Sequence, residues 1–426
     1  MTKEKVLLIT DSITSPTGFG NNGKSIAWAL AKKYDVHVLG LGYFSNQDMK
    51  VNINMENDER TVIQHPNYPR GAQHNDWGYK SIPYLLDKHK PSAMISVLDI
   101  NMVEHIPKIL YPDTVKLKVM DLPAKKMVSQ SALKMQLEGV MRKYKETYPR
   151  DVKWIQLAPV DGHPLMPKWK YTYQMADKTI AMSKYGRDVI KREFNMDVPF
   201  IWHGIDSSKF KATEKPDDCK GKFIIGDMNR NQQRKQPIRL LQAFAKFAKG
   251  KDDVYLHMQM DWNDKAGYPL MYWINMYGIG NKMVKPKPYG MSTDQIARTY
   301  NMWDVDVNPT AGEGFGLCLA ESSFCGKPTI ISDYTTSREL LMEGKPKPRG
   351  QLVKCDLEWE KLTQSACQRA RIDIDDLVKA MNKYYHSRQM MERHGKNAQI
   401  WAKNNLAMKD LQYKWQDLVK KTLNED

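Results

Sequence analysis

The segment Asn308–Ile330, NPTAGEGFGLCLAESSFCGKPTI, constrains the fold more than any other part of the chain. It reads as a short apolar strand, a glycine-rich loop and a helix, and a second strand at Thr329–Ser332 follows at once. That is one turn of a parallel βαβ sheet. Gly312, Gly314 and Gly316 let the backbone approach a ligand closely. The free N–H groups that open the helix, near Phe315, Gly316 and Leu317, suit a phosphate. Glu313 lies in the loop and Glu321 a turn or more into the helix, where both can accept hydrogen bonds from sugar hydroxyls. Carboxylates repel phosphate, so the pair is expected at the neutral ends of a ligand.

The same alternation runs through the rest of the chain. Val6–Thr10 leads into the Gly-rich loop SPTGFGNNG, a helical pattern over Lys24–Lys33 and a strand at Val36–Leu39. Strands at Ala93–Leu98, Lys116–Met120, Trp154–Ala158 and Lys178–Ala181 would complete a parallel sheet covered by helices on both faces. A second series follows His203 and Gly204. It has strands at Phe223–Gly226, Val254–Met258, Val305–Asn308 and Thr329–Ser332, with helices around Ile238–Phe247 and Leu319–Phe324. A length of 426 residues exceeds one ordinary core. The expected fold is α/β: two doubly wound Rossmann-like domains, residues 1–200 and 201–400, facing a deep cleft. Residues 401–426 form a closing segment, with an amphipathic helix over Trp401–Leu418 that packs back on the first domain.

Composition excludes several classes. No apolar stretch approaches the roughly 18 residues of a membrane-spanning helix, and the opening MTKEKVLLITDS reads as a strand rather than a signal peptide. The five cysteines are odd in number and lack metal-ligand spacing, which points to reduced thiols and a cytoplasmic setting. Asp304 and Asp306 share a strand face at its start, away from the ligand end, and are expected to be structural. Neither a metal nor another cofactor is expected.

Several motifs together resemble the large retaining glycosyltransferase family four, whose members have the GT-B fold. Asn308–Ile330 is similar to its E-x7-E signature. The resemblance implies that Glu313 contacts donor-sugar hydroxyls and Glu321 the nucleotide ribose. The stretch GDMNRNQQRKQPIRLLQAF, Gly226–Phe244, resembles the family's strand–Arg-x4-Lys–helix element. This puts Arg230 and Lys235 on the family's cations, with Arg234 as an alternative or a helper. Two fixed cations at a strand end suit a leaving diphosphate, where charge grows in the transition state. WHGID (Trp202–Asp206), AMSKYGRDVI (Ala181–Ile190) and Thr336–Leu340 with Glu339 resemble further family elements, in family order. The first domain resembles the family through its opening loop, where the amides of Gly18, Phe19 and Gly20 are placed to meet the phosphates or the acceptor.

The resemblance implies a nucleotide-sugar donor, preferably a UDP-sugar, and retention of the anomeric configuration without a metal. In LAPVDGHPLMPKW, Leu157–Trp169, Asp161 falls where the family often has a His, and His163 lies two residues on. Either is a candidate acceptor base or sugar-hydroxyl ligand. Asp99, at a strand end, either lines the cleft or caps the following helix.

The acceptor reading rests on charge. The net charge is +16, and residues 115–153 carry ten basic side chains against four acidic ones. Lys125, Lys126, Arg142 and Lys143 are candidate acceptor contacts, with Tyr144 and Tyr148 interleaved. Such a surface suits a polyanion, and aromatics suit an extruded base. The preferred acceptor is a hydroxymethylated pyrimidine in double-stranded DNA, as in some bacteriophages, in which case the setting is the host cytoplasm. The alternatives are a transferase of envelope glycan or lipid-linked saccharide synthesis and a non-catalytic nucleic-acid or sugar-nucleotide binding protein.

Overall fold

The computed structural model describes residues 3–67, 77–110, 152–288, 290–360 and 366–425. Its first sheet contains β1 (Lys5–Thr10), β2 (Asp35–Gly40), β3 (Met49–Met55), β4 (Asp58–Pro66), β5 (Ala93–Val97), β6 (Lys153–Ala158) and β7 (Lys178–Ala181). They lie side by side as β3-β4-β2-β1-β5-β6-β7. All neighbours are parallel except the β3–β4 hairpin at the edge. The second sheet contains β8 (Phe223–Met228), β9 (Val254–Gln259), β10 (Met283–Val284), β11 (Val305–Asn308), β12 (Thr329–Ser332) and β13 (Gly350–Val353), in the order β10-β9-β8-β11-β12-β13. A separate hairpin pairs β14 (Cys355–Trp359) with β15 (Gln368–Ile372). The architecture is therefore α/β with two parallel, doubly wound sheets. The strand expected at Lys116–Met120 lies outside the described residues.

Central strands such as β1 and β5 read as unbroken apolar runs because helices cover both faces, and all five residues of β5 are buried. Each fully buried Val, Leu or Ile contributes about 1.5–3 kcal/mol relative to exposure. In the second sheet the Trp303 indole lies flat against β8. A Cβ on Gly226 would fall 1.8 Å from that ring, so only glycine fits.

The winding reverses at one place in each sheet. β1 and β5 are adjacent, yet the chain leaves them toward opposite edges; β8 and β11 do the same. Outside such reversals the loops splay apart and leave a crevice at the carboxyl ends of the strands.

The closing helix differs from the sequence expectation. It is two helices, Arg388–Asn405 and Met408–Asn424. The interruption has a definite cause. The Ile205 N–H donates to the Leu406 carbonyl at 2.8 Å and the Met408 N–H to the Ile205 carbonyl at 2.9 Å, so this backbone serves a bridge instead of the helix. The last helix lies on Gly18–Ala31, where the Gln416 amide donates to the Ala29 carbonyl at 2.8 Å. Among the described residues no helix is long and apolar enough to cross a membrane.

Candidate active site between the two switch points

The loops at the two reversals carry the polar groups. In the second domain, a 3-10 turn at Gln233–Lys235 follows β8, and the Gly-rich loop follows β11. Lys235 and Glu313 are 8% and 7% exposed and form a buried ion pair. The Arg234 guanidinium lies 3.5 Å from the other Glu313 oxygen. Burial alone would raise the Glu313 pKa, but Lys235 and then Arg234 outweigh it and hold it at about 2. Glu313 is thus a fixed anion cradled by two cations.

Arg230 takes a different position from the one the sequence suggested. It pairs with Asp264 at 2.9 Å on an exposed loop, and the guanidinium beside Glu313 is that of Arg234. The reason is the turn after β8, which carries Gln233–Lys235 inward toward β11. The register of cations along GDMNRNQQRK cannot be counted off without that turn.

Glu321 is buried and accepts from the Tyr300 hydroxyl at 2.8 Å. Burial raises its pKa to about 7 against the opposing pull of that bond. Gly316, at φ +100, starts the helix Leu317–Phe324 without a side-chain cap. The left-handed conformation explains the glycine, and the missing cap leaves amides there to meet a ligand. Gly314 passes close to first-domain Pro159: a Cβ on it would lie 3.3 Å from the proline Cβ. Phe315 is buried near the His203 ring.

The first domain supplies the facing wall. Asp11, Asp99 and Asp161 stand in the loops after β1, β5 and β6. Asp99 occupies the N-cap position of the short helix Ile100–Val103 but makes no side-chain cap bond, which leaves its carboxyl to the cleft. Its side chain is exposed, although many protein atoms lie around it. Desolvation, then repulsion from Asp161, pushes its pKa up to about 7 against the pull of Arg234 and Arg369. Asp161 joins the domains directly. Its carboxylate is 2.8 Å from Arg369 and 3.9 Å from Arg234, and its carbonyl accepts from Arg369 at 2.7 Å. That carbonyl lies so close to the Gly-rich loop that a Cβ on Gly312 would sit 2.1 Å away.

His163 is set back in the seam. Its Nδ1 is 2.9 Å from the Tyr185 hydroxyl and 3.3 Å from that of Tyr334. Burial lowers its pKa. Glu339 accepts from the backbone N–H groups of Lys184 and Tyr185 and from the Trp202 indole. It thus places a second-domain carboxylate at the N-terminus of a first-domain helix.

The opening loop is occupied by its own structure. Thr17 caps the helix Gly18–Ala31 by accepting from the Gly20 N–H at 2.9 Å, so that amide is not offered to a phosphate. A Cβ at Gly20 would also meet the Ser12 and Ser15 carbonyls at 2.6 Å, which makes this glycine a packing requirement. Gly18 has open space around it. Lys125, Lys126, Arg142 and Lys143 lie outside the described residues. Asp304 accepts from Lys215 and the Ile224 N–H, and buried Asp306 from Ser322 at 2.9 Å. Both carboxylates serve the second sheet's own structure.

Arg369 was not foreseen. It lies in β15, far along the chain from both Gly-rich loops, and no local pattern marks it.

Residues 208–401 match the family model of glycosyl transferases group 1. The matched stretch is thus similar to that family over somewhat less than half of the chain. The whole chain has the GT-B fold of several solved structures. It resembles sucrose-phosphate synthase from Thermosynechococcus elongatus with 13% identity, 98% of this chain and 99% of that one covered, and a TM-score of 0.70. It resembles HepE from Anabaena, solved with UDP and glucose, with 14% identity, coverage of 98% and 100%, and a TM-score of 0.64. A glycosyltransferase from Rickettsia africae matches over 100% of both chains with 12% identity and a TM-score of 0.66. A search of curated proteins found no sequence match. Within the matched stretch Arg234, Lys235 and Glu313 stand at the switch point, where a doubly wound sheet binds its ligand.

Proposed function

We propose that the chain is a retaining, metal-independent transferase that moves a sugar from a nucleotide diphosphate, preferably a UDP-sugar, to a hydroxyl group. The convergence of Arg234, Lys235 and Glu313, opposite Asp99 and Asp161, carries this reading. Charge develops on the diphosphate as the glycosidic bond breaks, and Arg234 and Lys235 lie where fixed cations stabilise it. Glu313 accepts from sugar hydroxyls, and Glu321, with Tyr300 behind it, meets the ribose. The acceptor enters from the first-domain side, past Asp99 and Asp161. Attack from the face the diphosphate leaves gives retention, and the departing phosphate helps take the acceptor proton. A UDP donor is supported by the UDP and glucose that HepE holds, and a cytoplasmic setting by five cysteines without metal-ligand spacing.

For the acceptor we favour a hydroxymethylated pyrimidine in DNA, on the +16 charge and the basic segment 115–153. The test supplies a panel of radiolabelled UDP-sugars with hydroxymethylated, methylated and plain duplexes and a lipid extract, without added divalent cation. Label entering only the hydroxymethylated duplex is the expected result. Label entering only lipid removes the DNA acceptor. Absence of any transfer, or full activity in Glu313→Ala, removes the donor-site assignment.

A further inference from the structure

Apart from the cleft, three imidazoles meet beside the last turn of helix Ser81–His89. His37 comes from β2, His65 from β4 and His89 from the helix end. One ring nitrogen of each lies within 4.8 Å of the others, and the ring centroids are 4.3, 4.7 and 5.1 Å apart. His37 and His65 are 4% and 1% exposed. An acid stands behind each of these two rings. His65 Nδ1 is 2.8 Å from Asp48 Oδ1, and His37 Nε2 is 3.4 Å from Asp35 Oδ2. The near nitrogens, His37 Nδ1 and His65 Nε2, face each other at 2.8 Å.

These contacts make incompatible demands on the protons. A neutral imidazole carries a single N–H. If both far nitrogens donate to their carboxylates, the near nitrogens present two lone pairs to each other. If a near nitrogen takes the proton, one far nitrogen turns a lone pair toward an acid. The buried Nε2 atoms of His37 and His89 make no hydrogen bond, although buried polar atoms are ordinarily paired. A cation between the near nitrogens removes the conflict, because both far nitrogens can then carry their protons toward Asp35 and Asp48. Metal-bound histidines are commonly held in this way.

We propose that His37, His65 and His89 bind one divalent transition-metal ion of the kind that imidazole favours, for which zinc is the probe, with Asp35 and Asp48 orienting the first two rings. The acids also offset the nearby cations Lys5 and Lys88. The ion would join β2, β4 and the helix Ser81–His89. It shares no residue with the cleft that holds Glu313 and Lys235.

The test uses the full chain. After chelation and exhaustive dialysis it is loaded with zinc, dialysed again and measured by plasma mass spectrometry. The expected result is about one zinc per chain with a raised Tm, and cobalt loading should give the visible absorption of a tetrahedral site. His89→Gln, at the partly exposed helix end, should lose this zinc. Asp48→Asn, which keeps all three ligands, should weaken affinity by about 10–100-fold. Stripped protein that is folded by circular dichroism yet takes up neither zinc nor cobalt overturns the proposal. So does parental zinc affinity in both His89→Gln and His65→Gln.

Discussion

Replacing Lys235 with methionine removes one charge from the buried pair and nearly preserves side-chain length. The Glu313 carboxyl lies at about 2 in the folded chain against 4.5 for the free group, and Lys235 is the largest favourable cause. A folded pKa below the unfolded one stabilises the native state above about pH 4.5, and that stability disappears as pH falls toward 2. Roughly 2.5 units at about 1.4 kcal/mol each correspond to ~3 kcal/mol. Arg234 remains 3.5 Å from the carboxylate, so Lys235→Met should cost about 2–3 kcal/mol at pH 7, toward the low end for breaking a buried pair. Adding Glu313→Gln should recover much of that loss, since no buried charge then lacks a partner. Urea unfolding of the parent, both single variants and the double variant measures the cycle at pH 7 and again between pH 4.5 and 2, where the parent's advantage should shrink. The reasoning fails if Lys235→Met unfolds with the parent at pH 7, or if the double variant is no more stable than the single.

Three further outcomes follow from the same geometry. Gly312→Ala must push the Gly-rich loop roughly 1 Å away from the Asp161 carbonyl, and a misplacement of that size should lower kcat/KM on the order of 100-fold, read by UDP release; an unchanged rate would show that the loops need not meet. For Asp99, with a pKa near 7, the carboxyl is neutral below and ionised above that pH, so the parent's rate should rise through pH 7 and Asp99→Asn should lose that limb of the profile. Buried Asp227 is held neutral by desolvation, with a pKa of about 8. Its raised pKa costs the fold stability as pH climbs from about 4 to 8, by up to ~1.4 kcal/mol per pH unit, so Asp227→Asn should gain on the parent over that window in pH-dependent melting.

Much of the fold was legible because parallel strands announce themselves as apolar runs. β7, β11 and β12 begin and end at the residues the sequence suggested, and β1, β2, β5, β6, β8 and β9 differ by one or two residues at their ends. The edge hairpin β3–β4 went unread, although VNINM alternates and Glu56 and Asn57 both take positive φ in its turn. Helix Gly18–Ala31 starts earlier than its apolar pattern because Thr17 caps it. At the site, the Glu313–Lys235 pairing was within reach because each residue sits in a local motif. Arg234 in place of Arg230 depended on a 3-10 turn, and Arg369 on the seating of a separate hairpin against Asp161. Both are tertiary facts with no local signature. The break at Leu406 had the same origin, since the competing partner, Ile205, is two hundred residues away in the chain.

That break also shapes how the two halves can move. The chain passes from the first domain to the second near Ile205 and returns near Ala407, and these two crossings are bonded to each other. Sliding one domain past the other would tear both bonds, whereas pivoting about the joined crossings spares them. The molecule is thus built like a book bound along one spine.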